Sequence, residues 1–154
     1  MIETPQITHT KAQATALIHL TIARDQIQHV MGPGLGELKA TLEAQGIKPT
    51  GPWFCHHLSL PADGWDFEIS LPVEAPVTAS GRVKPGQRAA MKVASTVYHG
   101  PYEGLGDAWG KFLGWLSDNG HAGGPDLYET YVTGPESSPD SSQWRTELVK
   151  PLAG

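Results

Sequence analysis

The feature that most constrains this chain is a pattern stated twice. His29-Val30-Met31-Gly32-Pro33-Gly34-Leu35-Gly36-Glu37 is matched by Val97-Tyr98-His99-Gly100-Pro101 and then, after a short insertion, by Gly104-Leu105-Gly106-Asp107. Glu68-Ile69-Ser70-Leu71-Pro72-Val73 is matched by Glu147-Leu148-Val149-Lys150-Pro151-Leu152, and Gly46 by Gly120. Three matches in one order point to a duplicated supersecondary unit. The expected copies span residues 12–73 and 80–152, and a chain of 154 residues holds them as one domain, 1–154, without room for a second full one.

Each copy reads as strand, helix, strand, strand. Ala14 to Ile22 brings β-branched residues in rough alternation. Pro33 fits the first turn of a helix, where its missing N–H would be unbonded anyway, and Leu35, Leu38 and Leu42 follow at helical spacing until Gly46. Trp53 to Leu60 and Trp65 to Val73 are strands joined by the turn signal Pro61-Ala62-Asp63-Gly64. The second copy opens with Arg82 to Tyr98, one long strand or two short ones broken at Pro85-Gly86. Leu105, Trp109, Phe112 and Leu116 then form a helical stripe ended by Asn119-Gly120. Leu127 to Thr133 alternates as a strand, Gly134 to Ser142 is a polar loop, and Trp144 to Leu152 is a final strand. The predicted fold is α+β: tandem strand-helix-strand-strand modules, two antiparallel sheets with one main helix each, and a central cleft as the natural ligand site.

Composition narrows the function classes. With 39% apolar and 18% charged residues and a net charge of −5, the chain is of ordinary globular type, and its eleven Lys and Arg are too scattered to track a phosphate backbone. Direct nucleic-acid binding is therefore not expected. Cys55 is the only cysteine, which rules out an internal disulfide and suits a reducing cytoplasm. No apolar run approaches membrane-spanning length. His56 and His57 are adjacent on a strand and point to opposite faces, so they cannot share an ion; neither a metal site nor a cofactor motif is expected.

The residue with most chemical promise is Glu129. It shares a strand face with Leu127, Tyr131 and Thr133, while Tyr128, Thr130 and Val132 point the other way. One of these faces packs on the helix and the other looks into the cleft. A carboxylate walled by aromatic rings attracts a flat lipophilic cation by charge and ring quadrupoles. The same group could act as a general base toward water. Glu68 lies on the face opposite Trp65, Phe67, Ile69 and Leu71, with Glu147 as its counterpart. Both are equally well explained as the outer face of an antiparallel strand.

Val97-Tyr98-His99-Gly100-Pro101-Tyr102, the helix with Trp109, Tyr128-Glu129-Thr130-Tyr131-Val132-Thr133-Gly134-Pro135 and Arg145-Thr146-Glu147-Leu148 resemble the GyrI-like small-molecule-binding family. That family also supplies effector-binding domains of AraC-type and MerR-type multidrug regulators. The resemblance implies tandem modules of SHS2 type around a cleft. It implies a ligand site for bulky, lipophilic, often cationic compounds, with Glu129 as counter-charge and Trp65, Tyr98, Trp109 and Tyr131 as lining; Glu68 is a weaker candidate. Some members hydrolyse cyclopropane-containing natural products with a cleft glutamate and tyrosine, which here implies Glu129 and Tyr98. Others resemble gyrase-inhibitory proteins and imply a protein partner. Without a helix-turn-helix segment, the chain resembles the stand-alone members.

Overall fold

The structure is a computed structural model that describes residues 2–59, 64–134 and 137–152. Most of the turn expected at Pro61 to Gly64 lies outside the described residues, as do Leu60 and Pro135. The chain is α+β. Its strands are β1 (Gln6–His9), β2 (Gln13–Ala23), β3 (Phe54–Ser59), β4 (Gly64–Pro72), β5 (Lys84–Arg88), β6 (Lys92–His99), β7 (Leu127–Thr133) and β8 (Arg145–Pro151), and its helices are α1 (Ile27–Gln45) and α2 (Leu105–Asp118). The strands pair antiparallel. The chain divides into two compact units, Lys11–Ala90, and Met1–Thr10 with Met91–Gly154.

In the unit Lys11–Ala90 the strand order is β3-β4-β2-β5. Cross-strand partners share a face, so the pairs Ile18↔Ile69, Cys55↔Ile69, Ala16↔Leu71 and His57↔Phe67 define one side. All of these residues are buried, and α1 sits on this side: a Cβ on Gly34 would lie 2.6 Å from Cδ1 of Ile69. The pattern Leu38, Leu42 is buried as the helical spacing requires. The helix begins at Ile27, however, so Pro33 is interior and not in the first turn. One missing N–H removes one backbone bond, and the helix runs through it. At the other end Gly46 has φ +68°, a left-handed stop in which Gly46 N–H donates to the Glu43 carbonyl (3.2 Å) and Ile47 N–H to that of Leu42 (2.9 Å).

The break expected at Pro85-Gly86 is displaced. Both residues lie inside β5, and the chain leaves the ladder at Ala89 to Met91. Within its unit β5 pairs with β2 alone, and an edge strand tolerates a proline that donates nothing. Gly86 is there because a Cβ would press into the side chains of Leu17 and Thr15.

In the second unit the order is β1-β6-β8-β7. β1 escaped the sequence reading because its four residues, Gln6 to His9, are all exposed and carry no alternation. Ala94, Tyr98 and Leu148 of the strands pack with Ala108, Phe112 and Leu116 of α2, so the stripe read from the sequence is the buried one. Gly120, φ +73°, ends α2 as Gly46 ends α1: Gly120 N–H donates to the Ser117 carbonyl and His121 N–H to that of Leu116.

Candidate functional site

In the second unit β7 and β8 are in register with Glu129 opposite Leu148 and Tyr131 opposite Thr146, and on β6 Thr96 and Tyr98 face the same two β8 residues. Leu148 belongs to the core beneath α2. Glu129 therefore lies on the helix side of the strands. The alternation of β7 gave its face companions as Leu127, Tyr131 and Thr133; the register shift between Tyr131 and Thr133 sets Thr133 opposite Arg145 and off this face. The pairing puts Glu129 on the helix face and not on the opposite one that was expected to look into a cleft.

That placement sets what the carboxylate meets. Trp109 projects from the flank of α2, and its indole N–H donates to Oε2 of Glu129 at 2.6 Å. The Tyr131 hydroxyl, two residues along the same face, donates to Oε1 at 2.8 Å. Both carboxylate oxygens are thus held by neutral aromatic donors, in short charge-assisted hydrogen bonds. Glu129 is half-buried, and the ion pairs among the described residues do not include it. The aromatic surroundings continue on both sides. Trp109 tilts against Phe112 (centroids 5.7 Å apart), and Tyr131 forms a T-shaped pair with Tyr102 (5.9 Å), which packs on Trp144 (5.0 Å).

The other candidates lie elsewhere. Tyr98 is 5% exposed, within the core, and its hydroxyl donates to the Pro101 carbonyl at 2.7 Å. Burial, with Glu103 and Asp107 adding, pushes its ionisation above the ordinary tyrosine range. Trp65 and Glu68 belong to the unit Lys11–Ala90, on opposite faces of β4. Trp65 is half-buried beside His57, with ring centroids 5.5 Å apart. Glu68 faces away from α1, opposite His19 and His56, with Nδ1 of His56 3.5 Å from its carboxylate. The structure thus brings Glu129, Tyr131 and Trp109 together, and adds Tyr102. Tyr102 stands in the segment Val97 to Tyr102 that carries the family resemblance, but the resemblance did not imply it as lining.

Among the described residues, no three metal-ligating side chains gather, and no helix is long and apolar enough to cross a membrane. The sequence matches the GyrI-like small molecule binding domain over residues 4–153. The chain belongs to the GyrI-like family. As a GyrI-like domain it is a small-molecule-binding fold, and solved structures agree on the architecture. It is similar to the C-terminal domain of EcmrR, with TM-score 0.86 and 19% identity, covering 97% of either chain. It spans 57% of the EcmrR chain seen in a complex with DNA. It also resembles a hydrolase from Listeria innocua (TM-score 0.69, 13% identity, 97% of this chain and 91% of that one). A third similar structure is that of SAV2435 bound to tetraphenylphosphonium (TM-score 0.67, 13% identity, 99% and 95%). No curated protein sequence matches this GyrI-like chain.

Proposed function

We propose that this GyrI-like domain binds bulky lipophilic cations, with Glu129 as the counter-charge and Trp109 and Tyr131 as the aromatic walls. The observation that carries this reading is the half-buried carboxylate held, among the described residues, by two neutral ring donors. A carboxylate partly withdrawn from water and with no cationic partner among the described residues gains from a charge brought by the ligand, because the local dielectric is lower than that of bulk water. Rings on either side supply apolar contact with little directionality, which suits ligands of varied shape. The likeness to SAV2435, seen with tetraphenylphosphonium, supports the same class. The test is a titration of tetraphenylphosphonium followed by tryptophan fluorescence. Glu129→Gln should weaken that cation at least about ten-fold while leaving neutral triphenylphosphine oxide unchanged, from the value of a close charge in a partly desolvated site. Equal losses for both compounds overturn the counter-charge.

The pairing of Glu129 with a tyrosine hydroxyl also favours a second reading, hydrolysis of a strained electrophile. The tyrosine is then Tyr131, since the Tyr98 hydroxyl is committed to Pro101. Glu129 would deprotonate water and the Tyr131 O–H would steady the developing negative charge. Turnover by mass spectrometry that collapses in Glu129→Gln supports it, and binding without product rejects it.

We read residues 1–154 as one GyrI-like domain made of two copies of a single module, and several backbone bonds support this, although Gly32-Pro33 lies inside α1 and Gly100-Pro101 before α2, so that sequence match does not mark equivalent positions. Thr50 N–H donates to the Pro72 carbonyl as Gly124 N–H does to Pro151, and Val73 N–H donates to Ala14 as Leu152 N–H does to Lys92. The β3–β4 ladder shifts register between His57 and Ser59, and the β7–β8 ladder between Tyr131 and Thr133. Under this correspondence Cys55 opposite Ile69 takes the place of Glu129 opposite Leu148, so only one copy carries the acid.

A further inference from the structure

Resting on the cation-binding reading, we propose that Tyr102 selects ligands whose charge carries an aryl group, and that Tyr98 is the positioning residue that fixes Tyr102 for this task. The segment between β6 and α2 is wrapped on the Tyr98 hydroxyl. That hydroxyl donates to the Pro101 carbonyl at 2.7 Å. A Cβ on Gly100 would lie 2.9 Å from the same oxygen, at a φ of +139° that side chains rarely adopt, and a Cβ on Gly104 would collide with it. Gly100 N–H donates to the Trp144 carbonyl (3.0 Å) and Gly104 N–H to that of Pro101 (3.1 Å), which closes the turn and ties it to the start of β8. Both glycines and the buried hydroxyl thus serve one result, a fixed position for residue 102.

That position is one ring removed from the carboxylate. The Tyr102 and Tyr131 rings form a T-shaped pair at 75°, and Tyr102 tilts on Trp144, whose own indole N–H is anchored on the Ser138 carbonyl at 2.9 Å. Tyr131 in turn donates to Glu129. A cation at Glu129 places its substituents along this row, and Tyr102 is half-buried, so its ring keeps surface to offer. An aryl substituent gains an offset or edge-to-face ring contact there, whereas an alkyl substituent of similar bulk gains area alone. Charge recognition belongs to Glu129 and aryl recognition to Tyr102.

The experiment compares tetraphenylphosphonium with tetrabutylphosphonium by calorimetric titration of the wild-type chain and of Tyr102→Leu, Tyr102→Phe, Tyr98→Phe and Glu129→Gln. Tyr102→Leu should weaken the aryl cation by about three- to ten-fold, the worth of one aromatic pair, with the alkyl cation unchanged. Tyr102→Phe should restore the preference. Tyr98→Phe, which leaves the ring but frees the turn, should lower the aryl-to-alkyl ratio without touching ligand. If Tyr102→Leu weakens both cations alike, or neither, while Glu129→Gln weakens both, this inference falls and the counter-charge stands. If the wild-type chain binds neither cation, the cation-binding reading falls and takes this one with it.

Discussion

The indole N–H of Trp109 donates to the Glu129 carboxylate at 2.6 Å, joining a helix flank to a strand twenty residues away in sequence. The bond does two things at once. It orients the carboxylate, and it places the edge of an aromatic ring beside the charge, because the indole N–H lies in the ring plane.

Trp109→Phe keeps most of the packing on Phe112 and deletes this donor. Hydrogen bonds to charged groups contribute about 1.5–3 kcal/mol, and the half-exposed setting of Glu129 puts the expected loss near the lower figure. Urea denaturation measures it. In a Glu129→Leu background the same substitution should cost little, because no acceptor remains; an undiminished cost there would mean that Trp109 acts through packing alone.

The glycines around α2 divide into two kinds. Gly104 faces the Tyr98 hydroxyl, so Gly104→Ala must displace it and should destabilise by about 1–3 kcal/mol. Nothing lies within 4 Å of a Cβ built on Gly106, Gly110 or Gly114. Gly110→Ala should therefore stabilise the helix, by up to about 1 kcal/mol. Thermal unfolding of the two variants should move in opposite directions.

Gly46 and Gly120 adopt φ +68° and +73° with open space around them, so conformation and not crowding requires glycine. Gly46→Ala and Gly120→Ala should each cost about 1 kcal/mol, and Asn in place of Ala should recover part of it. Unequal losses would indicate that only one of the two caps matters to stability.

Tyr98 predicts an alkaline limit. Its ionisation is raised in the folded chain, chiefly by burial. The folded state therefore holds the phenolic proton more tightly than the unfolded state. The corresponding stability is fully present below about pH 10, where an unfolded tyrosine ionises, and is lost as pH rises through the folded value. Tyr98→Phe should flatten the fall in denaturation midpoint above about pH 10. A wild-type curve with the same slope as the variant's would contradict this.

Much of the fold was legible because its signals are local. The stripe Leu105, Trp109, Phe112, Leu116 gave α2, and β7 was read with the bounds Leu127–Thr133 that the structure has. Gly46 and Gly120 marked both helix ends. Misreadings occurred where local chemistry is permissive. Pro33 is tolerated inside α1 as well as at its start, and Pro85 is tolerated within an edge strand as well as between strands.

The sequence by itself determined the order of the elements after β1 and two face companions of Glu129, Leu127 and Tyr131, because helical and strand periodicities are set within a few residues; the bulge that turns Thr133 away was not legible. Only the tertiary structure decided that Glu129 lies on the helix side, that Trp109 and Tyr131 take its two oxygens, and that the Tyr98 hydroxyl is turned back to Pro101. Those outcomes depend on the register of β7 against β8 and on the seating of α2. Pairing between segments far apart in the chain leaves no periodic trace in either one.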